Sequence, residues 1–120
     1  MNRKELIRQY KETRRPMGVY RVHNTVSGKS LVGVSSDLQA ILNRHQAQLG
    51  FGMHPNRGLQ NDWNALGREA FAFEVLDTLT PLEGPDYDPS EDLKVLEALW
   101  LEKLSPFDDR GYNAKPKPVS

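Results

Sequence analysis

Cysteine is absent from the 120 residues, so disulfides and thiolate metal sites are excluded, and the composition suits a reducing cytoplasm. Long apolar runs are missing as well. The opening Met1-Asn2-Arg3-Lys4-Glu5 leads into no hydrophobic stretch of the signal-peptide kind. No segment approaches the roughly 20 apolar residues needed to cross a bilayer. A soluble cytoplasmic protein without a membrane partner is therefore expected. Net charge is also lacking: 16 Lys+Arg balance 16 Asp+Glu, which argues against strong, indiscriminate binding to polyanions. No internal repeat or low-complexity tract is visible.

What is present is ordinary in amount and uneven in placement. Hydrophobic residues make up 38% and charged residues 27%, enough to bury one core in a single domain. The first fifteen residues carry Arg3, Lys4, Arg8, Lys11, Arg14 and Arg15 against only Glu5 and Glu12. Between Glu74 and Asp92 every charged residue is acidic. This polarity is either a set of solvated faces or a basic side facing phosphates with an acidic loop turned away.

The order of elements is mixed α and β. Residues 1–16 read as a basic helical arm, with Leu6 and Tyr10 at i,i+4 and Pro16 ending it. The stretches Val19 to Asn24 and Ser30 to Ser35 read as strands joined at Ser27-Gly28-Lys29. Ser36, with Gln39 three residues on, predicts a capped helix reaching about Leu49. Gly50-Phe51-Gly52 breaks it, and a second helix is expected from Asn56 to Leu66, stopped by Gly67. Phe71, Phe73 and Val75 alternate as in a third strand. Pro81 to Pro89 predicts an exposed loop, Ser90 caps a last helix to about Leu104, and residues 114–120 form a frayed tail. The core domain thus spans 17–113.

Two residues break the helical pattern. Leu38, Ile41, Leu42, His45 and Leu49 share one stripe, and Leu93, Leu96, Glu97, Trp100 and Leu104 share another. An imidazole and a carboxylate therefore face the interior. A buried carboxylate is costly unless paired, hydrogen-bonded or bound to metal. His45 reads either as a core histidine satisfied by a backbone carbonyl or as a site residue. Glu97 reads either as half of an ion pair, with Arg44 or a basic residue of the arm, or as a ligand. Their occurrence on two helices favours a shared cleft. Trp63, Phe71, Phe73 and Trp100 read most simply as core aromatics.

A family resemblance rests on many ordered matches. Gly18-Val19-Tyr20, Gly28-Lys29 and Leu31-Val32-Gly33-Val34-Ser35-Ser36-Asp37-Leu38 begin it; Arg44-His45, His54-Pro55-Asn56 and Leu59-Gln60-Asn61-Asp62-Trp63 continue it. Phe71-Ala72-Phe73-Glu74-Val75-Leu76, Glu97-Ala98-Leu99-Trp100 and Gly111-Tyr112-Asn113 complete it. Over residues 18–113 the chain resembles the GIY-YIG nuclease superfamily. The resemblance implies an α/β (α+β) domain, a small three-stranded antiparallel sheet flanked by helices, here with the extra N-terminal helix. It implies cleavage of DNA phosphodiesters with one divalent cation, Mg2+ (or Mn2+). Tyr20 matches the tyrosine that aligns or deprotonates the attacking water, and Glu97 the glutamate that holds the metal. Asn113 matches an asparagine lining the site, and His45 and His54 match histidines found there in homing-endonuclease relatives. Lys29 and Arg57 are candidate phosphate contacts.

Two positions depart from the pattern. Leu31 stands where the second motif has tyrosine, and Ile41 where the following helix has arginine. Neither side chain can hydrogen-bond a water or a phosphate. Losing one preorganised donor typically costs about two to three orders of magnitude in rate. Arg44, one turn after Ile41, is a candidate replacement for the lost guanidinium; an exposed surface arginine is the plainer reading. Three functions follow: a divergent metal-dependent DNA nuclease with weakened or altered cleavage, an inactive DNA-binding descendant, or an interaction module that kept the fold.

Overall fold

The computed structural model describes residues 16–80 and 88–115. The basic arm before Pro16, most of the loop after Thr80 and the end of the tail lie outside the described residues. The chain forms a three-stranded antiparallel sheet in the order β2-β1-β3. Its strands are β1 (Met17–Asn24), β2 (Ser30–Ser35) and β3 (Phe71–Leu79). Among the described residues three helices accompany it: α1 (Leu38–Gly50), α2 (Arg57–Leu66) and α3 (Ser90–Leu104). Short 3-10 turns cover Arg68–Ala70 and Asp108–Arg110.

Alternation along the central strand explains the layers. Tyr20 and Val22 point to one face, where Val22 packs with Leu49, Leu59, Ala70 and Phe71. Leu31, Trp63, Phe73 and Tyr112 close this core around its edge. Trp63 meets Phe71 at 5.3 Å and Phe73 at 6.2 Å between ring centroids, so these rings serve packing as expected. Val19 and Val32 are buried on the opposite face. Helix α3 packs against β1 and β2, and its Trp100 donates Nε1–H to Asp77, the register partner of Val19, at 3.1 Å.

Several local expectations need correction. Strand β1 begins two residues earlier, because Met17 and Gly18 pair with Leu79 and Thr78. A side chain on Gly18 would overlap the Asp77–Thr78 backbone, so glycine permits the close approach that starts the sheet. Helix α1 is capped by Asp37, not Ser36: its carboxylate accepts the Ala40 N–H at 3.1 Å. Ser90 is the first residue of α3 rather than its cap; Asp88 accepts both its backbone N–H and its hydroxyl. Strand β3 runs on to Leu79, and Val75 is exposed although it continues the Phe71–Phe73 alternation. Val75 sits on an edge strand beside a bulge at Leu76, where pairing with Val19 and Tyr20 shifts by one. Gly67 ends α2 as expected, with its N–H on Trp63 O.

The free edge of β2 is covered by the chain end. Gly111 bridges Ser30 in parallel, and Tyr112 donates its N–H to Ser30 O at 2.9 Å. Asn113 then binds both backbone groups of Val32 with its amide, at 2.8 Å each. A side chain thus substitutes for a paired strand, satisfying an edge that would otherwise offer itself for pairing.

Candidate active site

Three side chains brought from three elements form one hydrogen-bonded chain. Tyr20 comes from β1, His45 from the middle of α1, and His54 from the α1–α2 connection. Tyr20 Oη lies 2.9 Å from His45 Nε2, and His45 Nδ1 lies 2.8 Å from His54 Nε2. The imidazoles stack at 5.0 Å, and the tyrosine ring sits 5.2 Å from His45. His54 is itself fixed on both sides: its N–H meets Gln60 Oε1 at 3.0 Å, and its Nδ1 accepts the Asn56 backbone N–H at 3.0 Å.

That last bond sets the direction of the whole chain. A backbone N–H can only donate, so His54 Nδ1 bears a lone pair and its proton resides on Nε2. His54 therefore donates to His45 Nδ1, and His45 in turn carries its proton on Nε2 and donates to Tyr20 Oη. This requires two neutral imidazoles. Burial lowers the pKa of His45, aided by the neighbouring His54 and Arg44, to about 4. Burial likewise lowers His54. The hydroxyl proton of Tyr20 is then directed away from His45, and no other described residue takes it. Burial raises the Tyr20 pKa, and the charge of Glu97 raises it further, so at neutral pH Tyr20 is a phenol.

Gly33 makes the placement possible. It pairs with Tyr20 across the sheet, and a Cβ there would sit 2.5 Å from the phenolic oxygen. The ring consequently lies across the backbone of the edge strand, with its hydroxyl over Gly33. Glu97, half-buried on α3, is close enough for its charge to act on Tyr20. It makes no ion pair or hydrogen bond to another described residue, so the predicted pairing with Arg44 does not occur.

The remaining candidates divide. Arg44 is exposed and contacts no described partner, as its position one residue before the inward-facing His45 dictates; the idea that its guanidinium replaces the missing arginine gains no contact. Asn113 has both ends of its amide committed to Val32. Lys29 leans over the Tyr112 ring at 5.9 Å, and Arg57 is exposed at the first residue of α2. Leu31 fills its position with core packing. Sequence reasoning passed over Gln60 as a support, although a buried glutamine beside Leu59 is its signature. Gln60 grips both His54 N–H and Leu49 O, the latter at 3.1 Å, and so ties the histidine loop to two helices. Among the described residues no group of three or more His, Cys, Asp or Glu is arranged to hold a metal ion. No described helix is long and apolar enough to cross a membrane.

Sheet order, helix placement and the tyrosine–histidine pairing together define the fold of the GIY-YIG nuclease catalytic domain. Two solved structures that it matches are of one such nuclease, I-TevI. The catalytic domain of homing endonuclease I-TevI superposes with a TM-score of 0.68 at 27% identity, covering 83% of this chain and 99% of that one. A glutamate-to-alanine mutant of the catalytic domain of intron endonuclease I-TevI gives a TM-score of 0.67 at 23% identity, over 88% and 99% of the two chains. No protein-family profile matches the sequence, and neither does any curated protein.

Proposed function

We propose that this chain is a divergent DNA nuclease domain that hydrolyses phosphodiesters with a single divalent cation, Mg2+ or Mn2+. The observation that carries the reading is the directed Asn56–His54–His45–Tyr20 chain, ending within reach of the charge of Glu97, which pairs with no other described residue. A purely structural cluster has no need to leave the terminal hydroxyl proton unassigned. GIY-YIG nucleases, whose fold this chain has, are in general divalent-metal dependent.

The residues fit such an ion in one way only. A lone, half-buried carboxylate suits a cation that keeps several waters and takes further oxygens from substrate; it does not suit a closed protein cage. Bound at Glu97, the ion supplies charge to offset that developing on phosphate and leaving oxygen. Tyr20 does the positioning. With one lone pair held by His45 Nε2–H, its own O–H is aimed at the attacking water or a phosphate oxygen. To take a proton from that water it must first ionise, and the His45 N–H stabilises the resulting phenolate.

A second reading is favoured by a specific observation. Leu31 is spent on the core, Ile41 cannot bind an anion, and Arg44 stands apart in solvent. These losses fit a descendant that binds DNA and no longer cuts it. Purified protein incubated with labelled DNA, with and without Mg2+ or Mn2+, separates the two. Under the first reading, metal-dependent cleavage appears and vanishes in Glu97→Ala. Intact DNA throughout, with binding that weakens as salt rises, selects the second.

A further inference from the structure

Beside the site the chain carries two large apolar side chains that nothing covers. Phe51 is 80% exposed and Met53 76%, and both project from the turn that links α1 to His54. Burying neither on folding is a cost that a loop devoted to packing does not incur. The turn itself is well held: Phe51 N–H binds Ala47 O, Gly52 N–H binds Leu49 O and Met53 N–H binds Gln48 O, at 3.0, 3.1 and 2.9 Å. The two side chains are thus presented on a fixed support, three and one residues before the imidazole that orders the catalytic chain.

The surrounding surface indicates the partner. From Leu38 to Asn61 the sequence contains no aspartate or glutamate, although the chain has 16 of them. The charged side chains in that span are Arg44 and Arg57, both exposed. Arg44 lies seven residues before Phe51, two helical turns back on the same side of α1. Along the chain Phe51 and Met53 therefore stand between two exposed arginines that pair with no other described residue, on a stretch without a carboxylate. Hydrophobic tips on a cationic, acid-free surface match a nucleic acid, which offers phosphates to arginine and base faces to apolar groups. A protein groove or lipid surface would account for the apolar tips, but not for their position beside the Tyr20 chain.

We propose that Phe51 and Met53 form a wedge that enters the base stack of DNA next to the phosphate presented to Tyr20, with Arg44 and Arg57 on the flanking phosphates. This rests on the nucleic-acid reading above and adds to it how the substrate is gripped. Unstacking one step bends the duplex and exposes the backbone at that step, which suits a shallow site lacking the second tyrosine.

The test uses the full chain without metal, so that cleavage plays no part. Binding is followed by anisotropy on duplex and single-stranded DNA, and unstacking by the fluorescence of 2-aminopurine placed along the duplex. The wild type should bind with a clear 2-aminopurine rise confined to one or two steps. Phe51→Ala with Met53→Ala should weaken binding about tenfold, the scale of one lost base contact, and abolish the rise. Its salt dependence should stay unchanged because the phosphate contacts remain, while Phe51→Trp should keep both signals. Both positions are exposed, so the melting temperature should not move. Salt-dependent binding that the double variant leaves intact, with no 2-aminopurine signal, overturns the wedge and spares the DNA reading. A wild type that binds neither DNA form at low salt overturns both. Binding to single strands alone, with the double variant impaired, overturns the duplex wedge in favour of a stacking platform. Variant-sensitive uptake on anionic phosphatidylglycerol vesicles, in place of DNA, assigns the tips to lipid and overturns the proposal.

Discussion

Two tyrosines border the same layer of the molecule and are used in opposite ways. Tyr112 is clamped: it donates to Asp62 at 2.7 Å and accepts from Asn24 at 3.0 Å, while its backbone is tied to Ser30 and Asn56. Burial, together with the hydrogen bond and charge of Asp62, pushes its pKa up to about 12. Tyr20 has a single partner for its hydroxyl, His45, and keeps a proton to give. The clamped tyrosine joins the hairpin turn, α2 and the chain end. The free one faces Glu97. A hydroxyl with all its bonding capacity used holds the fold together; one with capacity left over is available for a substrate.

Removing each hydroxyl in turn is the most forceful way to break this comparison. Tyr20→Phe should lower metal-dependent cleavage by about two to three orders of magnitude with a smaller loss of stability, since only the His45 Nε2–H loses a partner. Tyr112→Phe should do the reverse. It strands the Asp62 carboxylate and the Asn24 amide, and should cost roughly 1–3 kcal/mol in denaturant unfolding, with cleavage by the folded protein changed little. If Tyr20→Phe cleaves normally, its free proton has no catalytic use.

A gain of function sharpens the same contrast. Leu31 and Ile41 occupy the positions at which the resemblance places a tyrosine and an arginine. Leu31→Tyr combined with Ile41→Arg should raise cleavage about tenfold or more, by returning a donor and a charged fork to the site. The price is strain: a larger ring beside Val22 and Tyr112 overpacks the core by about 1–3 kcal/mol. Rates unchanged in the folded double variant would mean that those two positions do not limit this protein.

The pH dependence of any cleavage bears on Tyr20 directly. Its pKa is raised above 10 by burial and by Glu97, so the ionised form grows with every unit of pH up to that value. Cleavage measured at fixed metal should climb about tenfold per pH unit between 7 and 9 if ionisation of Tyr20 precedes attack. A rate that is flat across that range points instead to a histidine, already neutral there, as the base.

How far the residues alone foretold this arrangement follows from the range of the forces involved. The order β2-β1-β3 was not legible, but the three strands, the stripe on α1 and the end of α2 at Gly67 are set by local periodicity and backbone sterics, and these were. So was the oddity of His45 and Glu97, because a polar residue on an apolar stripe shows in the sequence. The caps shifted because Asp37 takes the Ala40 N–H in place of Ser36, and because Asp88 engages the Ser90 N–H and hydroxyl, leaving Ser90 inside the helix. Val75 lies in the third strand as its alternation predicts, but the bulge beside it depends on the partner strand, which periodicity cannot register. The tie between Asn113 and Val32, and the direction imposed on the histidines by Asn56 N–H, come from contacts made only in three dimensions. Spacing along α1 showed that Arg44 was near; it did not show that its neighbour His45 faces inward and leaves it in solvent.

The smallest expected effect concerns stability in acid. His45 is held near 4 in the folded chain, against about 6.5 when unfolded, and burial lowers His54 as well. Between those two pH values the unfolded chain binds a proton that the folded chain refuses, so stability should rise with pH across that window and fall as pH drops through it. Below about 4 both states are protonated and the dependence ends. Partial exposure of the ring cuts the full effect to roughly 1–2 kcal/mol. Protonating His45 also places an N–H at Nδ1 against the His54 N–H, so the chain to Tyr20 breaks at the same point. His45→Gln should flatten this part of the curve in urea unfolding measured from pH 7 to pH 4, whereas Tyr112→Phe should shift it down without changing its slope. An unaltered slope in His45→Gln would mean that the imidazole is not the group that resists protonation.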